Sequence, residues 1–251
     1  LETLRDNLRH TETDVTLFEI GRIYLPRPGD LPEERRVLTL AIGGWRSGRG
    51  LGERVETDFF DLKGLAEALL DRLGVAARFV AAQHPTFHPG RTALIVAGEG
   101  RTWDDALGIV GEVHPLVREQ VDLPPQRAYL LALDLLRLRA CAAARLRVET
   151  PPRFPPVVMD IALVVGEDVP AERLRRVLEH AGGELLAGLR LFDVYRGPTI
   201  PAGTKSLAFS ATYQARDRTL TDAEARAVHD RLAEAARREL GALVRGVDQG
   251  V

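Results

Sequence analysis

The side chains with which this chain could do chemistry are few, and their spacing argues against using them for it. His84 and His88 have the i,i+4 spacing by which a helix offers two nitrogens to zinc, but Pro85 and Pro89 oppose a helix there, so HPTFHPG reads as a loop. His114 precedes Pro115 at the end of an expected strand, and no nucleophile or acid is implied beside it. Cys141 lies in the run ACAAA with no neighbouring base. Both read as packing residues. Asp104 and Asp105 read as a solvated loop. No catalytic residue and no metal ligand is expected. What remains is a different kind of pair: Asp193 and Tyr195, an acceptor and an aromatic ring two positions apart, which a β-strand would place on one face.

The elements around that pair form two domains. The stretch VETPPRFPP, Val148 to Pro156, holds four prolines that forbid helix and resist a central strand, and the domain junction is placed there, dividing residues 1–150 from 151–251. In the second part a strand Met159–Val165, a helix from about Pro170 to Ala181, a strand Leu185–Tyr195, a strand Ser206–Tyr213, a helix Asp222–Leu240 and a short strand Ala242–Arg245 spell βαββαβ, the ferredoxin-like order. Thr221 and Glu224 have capping-box spacing, Val228 and Leu232 face inward, and Gly241 ends the helix.

In the first part, strands Val15–Leu25 and Val37–Trp45 are expected as an antiparallel pair joined by a loop containing Pro26, Pro28, Gly29 and Pro32. The helix Asp58–Gly74 should turn Leu62, Leu65, Ala66, Leu69, Leu70 and Leu73 to one face, with Gly74 as its stop. Strands follow at Thr92–Ala97, Leu107–Val113 and Ala128–Leu135, with a short helix Pro115–Gln120. The fold class is α+β: a mixed or antiparallel sheet with helices, then the ferredoxin-like domain.

Composition bounds the rest. The chain has 251 residues, 45% hydrophobic and 28% charged, and no apolar run reaches the roughly 18 residues that span a bilayer. A soluble, non-membrane protein is expected, with one cysteine that rules out an internal disulfide, and the cytoplasm as its compartment. Leu1 opens the chain without an initiator Met, and Leu1, Leu4 and Leu8 already make a helical stripe, so the sequence reads as a piece of something longer. Net charge is −2; residues 151–251 carry 14 Lys+Arg and 14 Asp+Glu, leaving 20 and 22 for residues 1–150. Charge alone points to no polyanion.

Alternation divides the ferredoxin-like strands into two faces. Met159, Ile161, Leu163 and Val165, with Leu207, Phe209, Ala211 and Tyr213 and with Phe192 and Val194, form the inward set. Asp160, Ala162 and Val164, with Ser206, Ala208, Ser210 and Thr212 and with Asp193 and Tyr195, are left on an uncovered face. Such a face suits single-stranded RNA, because a ring can stack an unpaired base while a carboxylate accepts from its edge. It suits a partner domain or a small regulatory ligand as well, and the pattern leaves the three open. Gly197 and Gly203, with Pro198 and Pro201, read as turn geometry, and Lys205 as a solvated edge lysine.

Longer strings narrow the choice. FDVYRGPTIPAGTKSLAF (Phe192–Phe209), YQARDRTLTDAE (Tyr213–Glu224) and GALVRG (Gly241–Gly246) resemble the anticodon-binding domain of the bacterial phenylalanyl-tRNA synthetase beta subunit family. LFEIGRIYLP (Leu17–Pro26), DFFDLKGLAEALL (Asp58–Leu70), HPGRTALI (His88–Ile95) and LGIVGEVHP (Leu107–Pro115) resemble the same family's class II-like, catalytically silent core. The resemblance implies a noncatalytic part of a phenylalanine–tRNA ligase. It implies anticodon contacts at Ala162, Asp193, Tyr195 and Ser206, with Arg245 near the phosphates or a base. It also implies an alpha subunit that handles ATP, Mg²⁺ and phenylalanine in an (αβ)2 heterotetramer, this part binding no cofactor. Arg22 stands near one ATP-binding arginine of class II enzymes, but FEIGRIY resembles the silent version, and the second such motif has no counterpart. Two positions depart from the family pattern, Met159 and Ser210 standing where basic residues are usual. An assembly scaffold without base reading, or a free-standing ligand-binding regulator, are the rival readings.

Overall fold

The computed structural model describes residues 1–11, 13–47, 53–98, 100, 102–142 and 152–245. The chain divides into two compact units, Leu1–Val148 and Glu149–Val251. Part of the proline-rich stretch Val148–Pro156 lies outside the described residues.

The first unit begins with helix α1 (Glu2–His10), followed by strands β1 (Val15–Arg27), β2 (Asp30–Gly43), β3 (Trp45–Ser47) and β4 (Arg54–Glu56). Helix α2 (Phe59–Arg72), strands β5 (Ala77–Ala81), β6 (Phe87–Ala97) and β7 (Ala106–Val113), helix α3 (Pro115–Gln120), strand β8 (Ala128–Asp134) and helix α4 (Leu135–Cys141) complete it. Six strands form one sheet in the order β1-β2-β8-β7-β6-β5, every neighbouring pair antiparallel. Strands β3 and β4 form a small separate ribbon.

The two faces of the large sheet are read from its register. Leu38 pairs with Leu133, Leu40 with Leu131 and Ile42 with Tyr129, and this row packs with Leu62, Ala66 and Leu70 of α2. Val15 and Ala41, on the opposite face, pack with Leu4 and Leu8 of α1. The i,i+4 stripe of α2 explains its seating, and Asp58 starts it by accepting from the Phe60 and Asp61 backbone N–H groups. Leu65, expected on the same face, is 43% exposed, because the buried stripe is narrower than the apolar one. Gly74, at φ +65°, stops the helix as expected.

Several expectations are corrected. The loop foreseen around Pro26 to Pro32 is strand except for its tip, Pro28 and Gly29. Residues 30–36 pair only with β1, so the hairpin leaves the sheet as a two-stranded ribbon whose outer edges need no ladder hydrogen bond; Pro26 sits where the register skips from Leu25↔Glu33 to Arg27↔Asp30. Strand β6 starts at Phe87, so His88, Pro89 and Gly90 are strand, at an irregularity in the β6–β7 register, and only the front of HPTFHPG is loop. Strands β3, β4 and β5 and helix α4 were not foreseen; all are short, and pairing or packing holds them where local pattern is weak.

The second unit follows the expected order. Strand β9 (Val157–Gly166), helix α5 (Ala171–Gly182), strand β10 (Leu186–Tyr195), strand β11 (Thr204–Tyr213), helix α6 (Asp222–Leu240) and strand β12 (Leu243–Val244) form βαββαβ. The antiparallel sheet runs β10-β11-β9-β12. Ile161, Leu163 and Val165 of β9 and Leu207, Phe209, Ala211 and Tyr213 of β11 lie in one core with Leu174 and Leu178 of α5 and Val228 and Leu232 of α6. Both helices thus cover one face. Thr221 and Glu224 close a capping box, and Gly241 ends α6 at φ +63°.

Candidate nucleic-acid interface

In an antiparallel sheet, directly paired residues point to the same side. Tyr195, Ser206, Val164 and Leu243 form one cross-strand row, Asp193, Ala208 and Ala162 the next, and Arg190, Ser210 and Asp160 a third, all on the face away from α5 and α6. Strand β12 adds the last member, because the Arg245 backbone N–H donates to the Ala162 carbonyl at 2.9 Å. Ala162, Asp193, Tyr195, Ser206 and Arg245 are therefore brought to one end of one face from four strands, or the residue just after one.

Their surroundings differ. Asp193 is exposed, and its carboxylate has no ion-pair partner among the described residues. Tyr195, Ala162 and Arg245 are half-buried. The Arg245 guanidinium carbon lies 4.4 Å from the Tyr195 ring centroid, a cation–π distance. Thr199 Oγ1 donates to the Tyr195 hydroxyl at 3.1 Å and accepts from Arg245 Nη2 at 3.3 Å.

The face is not uniformly bare. Ser206 is 2% exposed and Val164 4%. Ser206, on central strand β11, stands between the larger Tyr195 and Val164 of its neighbour strands. Phe192, expected inward, is 47% exposed: the β10 register slips between Leu191 and Asp193, so Phe192 falls in the bulge and Leu191 pairs with Phe209 in its place.

Comparison with known proteins decides the family. The model described as phenylalanyl tRNA synthetase beta chain CLM domain matches residues 1–135, and that of the ferredoxin-fold anticodon binding domain matches residues 152–245. The chain belongs to the phenylalanyl-tRNA synthetase beta chain family. It is 40% identical over 250 residues to the phenylalanine–tRNA ligase beta subunit of Geobacillus kaustophilus, covering 98% of this chain and 30% of that one. It is 41% identical over 248 residues to that of Symbiobacterium thermophilum, covering 98% and 27%, and 35% identical over 250 residues to that of Bacillus subtilis, covering 98% and 30%. The chain thus spans about 30% of the length of the curated relatives it matches.

Within this beta-chain fold the other singled-out residues have local duties. His114 caps α3 by accepting from the Leu116 N–H at 3.1 Å, so it is a cap and not packing. Cys141 ends α4 exposed, also against expectation. Asp105 accepts from the Thr102 N–H and hydroxyl at 3.1 and 2.7 Å, giving the supposed loop a short 3-10 turn. His84 and His88 accept from the Thr86 and Gly90 backbone N–H groups, and no group of three or more metal-binding side chains occurs among the described residues. Arg22 makes an exposed ion pair with Glu34 at 3.3 Å.

Lys205 is 9% exposed, not solvated: alternation turns it inward, where its ammonium donates to the Glu167 carbonyl at 2.8 Å. Gly203 serves a turn at φ +77°, and Gly197 opens one, its carbonyl accepting from the Ile200 N–H at 3.3 Å; Gly197 also makes space, since a Cβ on it would lie 2.2 Å from the Tyr195 hydroxyl oxygen. Sequence reasoning passed over Arg190 and Thr199. Arg190 is exposed directly across from Ser210, and only the register reveals it. Thr199 is a loop residue whose sole signal was its place four residues beyond Tyr195.

Proposed function

We propose that this chain serves a phenylalanine–tRNA ligase by holding the anticodon region of the phenylalanine tRNA on the open face of its second unit, while the first unit braces the alpha subunit. The observation that carries the reading is the convergence of an exposed carboxylate, Asp193, and a cation-backed ring, Tyr195, beside Ala162, Ser206 and Arg245. The ring stacks an unpaired base, an interaction worth roughly 1–3 kcal/mol per base. Asp193 accepts from a ring N–H or exocyclic amine and so favours bases that offer one. Ala162 lies in the row beside Asp193, Ser206 is buried beside Tyr195, and Arg245 supplies positive charge. Because the unit is charge-balanced, its own affinity is weak, and the rest of the assembly supplies most of the binding.

In this reading the chain performs no chemical step and binds no cofactor. The alpha subunit handles ATP, Mg²⁺ and phenylalanine, and the working assembly is an (αβ)2 heterotetramer in the cytoplasm. No described helix is long and apolar enough to cross a membrane. The bracing role is supported by the edge of the large sheet. Phe18 and Ile20 pair with Leu40 and Leu38, continuing the core-side row onto β1, yet they are 75% and 52% exposed. Uncovered apolar rows of this kind mark partner surfaces.

Tyr195→Ala in the complete enzyme tests anticodon binding: KM for the tRNA should rise at least fivefold with KM for phenylalanine unchanged, and an unchanged tRNA KM refutes it. Phe18→Ser with Ile20→Ser tests the brace through co-purification with the alpha subunit. If alpha binding is lost in the second experiment while the tRNA KM is unchanged in the first, the chain is an assembly scaffold without base reading.

A further inference from the structure

The loop leaving β10 starts Arg196-Gly197-Pro198-Thr199, and two of these residues are fitted to the Tyr195 ring. A Cβ built on Gly197 would meet Tyr195 Oη at 2.2 Å, Cζ at 2.5 Å and Cε1 at 3.1 Å. The phenol therefore rests against the Gly197 backbone at a distance no side chain permits. Gly197 does not owe this to conformation, for its φ lies outside the left-handed region.

Thr199 fixes the tip of the same ring. A guanidinium can only donate, so the Thr199 oxygen accepts from Arg245 Nη2 and gives its own proton to Tyr195 Oη. One hydroxyl thus joins the end of the ring to the cation lying over it. Arg245 takes one ring face, and Gly197 holds the edge and tip.

We infer that Gly197 and Thr199 are positioning residues for Tyr195, holding its ring and the Arg245 guanidinium as a preassembled stack on which one unpaired base is received. The inference rests on the reading of Tyr195 as a base-stacking residue and adds that its pose is set before RNA arrives. Holding one side chain in its bound rotamer beforehand is worth roughly two- to tenfold in affinity.

The test uses the complete beta subunit assembled with its alpha subunit and the phenylalanine tRNA as probe. Thr199→Val should raise KM for the tRNA by roughly two- to tenfold while kcat and KM for phenylalanine stay put, and Thr199→Ser, which keeps the hydroxyl, should restore the wild-type KM. Adding Thr199→Val to Tyr195→Phe should raise KM by less than Thr199→Val does alone, since the link to the ring hydroxyl is already gone and only the Arg245 contact remains to be lost. Gly197→Ala should weaken tRNA binding as much as Tyr195→Ala, with the melting temperature measured alongside to separate ring displacement from unfolding. The inference is overturned if Tyr195→Ala raises the tRNA KM but Thr199→Val does not, or if Thr199→Ser is as defective as Thr199→Val. If Tyr195→Ala is itself silent, the base-stacking reading falls, and this inference with it.

Discussion

The Arg245 guanidinium covers one face of the Tyr195 ring at 4.4 Å, joining the residue that follows the last strand of the ferredoxin-like sheet to the end of the opposite edge strand. Two residues 50 positions apart in the chain are thereby brought into contact, and in the proposed reading they act on the same base. Arg245→Ala removes both the charge and the backing of the ring. A cation–π pair at an accessible site is worth about 0.5–1 kcal/mol, so KM for the tRNA should rise by about two- to fivefold from that contact alone. Arg245→Lys keeps the charge without the flat stacking surface and should recover only part of the loss, measured by aminoacylation at fixed ionic strength.

Tyr213 and His229 pin α6 to the sheet through a hydrogen bond between the phenol oxygen and His229 Nδ1 at 2.9 Å. Burial pushes the Tyr213 phenol up to about 12, so it stays protonated at every physiological pH. Burial also lowers the His229 pKa below its ordinary value near 6.5. The neutral imidazole is thus favoured in the folded state, and in the window below about 6.5 the unfolded chain binds more protons. This contribution to stability is complete above that pH and is lost as pH falls toward the folded-state pKa. The melting temperature should drop between pH 7.5 and 5.5, and His229→Gln should flatten that dependence. A profile equally steep in the variant would show that other groups govern it.

Glu112 of β7 is 4% exposed, and both its oxygens accept from Arg91 Nη1 of β6, at 2.9 and 2.7 Å. Removing the arginine leaves a buried carboxylate without its partner. Arg91→Ala should cost about 2–3 kcal/mol, below the range for a fully enclosed pair because the Arg91 side chain is 43% exposed. Arg91→Ala with Glu112→Gln should recover much of this, as read by urea unfolding.

The start of α6 is set by Thr221, whose hydroxyl accepts from the Glu224 N–H at 3.3 Å while the Glu224 carboxylate accepts from the Thr221 N–H at 2.9 Å. Those N–H and hydroxyl groups of Thr221, with Arg218, bring the Glu224 pKa down to about 2. Thr221→Ala should destabilise the second unit by about 1 kcal/mol in denaturant titration, with Thr221→Ser close to wild type.

The sequence by itself determined the elements whose signal is local. Alternation in β9 and β11, the capping box and Gly241 of α6, and the apolar stripe of α2 were legible because each depends on neighbours within a turn or a strand pair. They sufficed to derive the βαββαβ order and to put Asp193 and Tyr195 on one face. Only the tertiary structure decided what depends on residues distant in the chain. The bulge that exposes Phe192, the placing of buried Ser206 between Tyr195 and Val164, and the reach of Arg245 to Tyr195 arise from register, which no single strand specifies. Gly197 shows the difference most plainly: its type is visible in the sequence, but the reason for it is a phenol ring lying where a methyl group would stand.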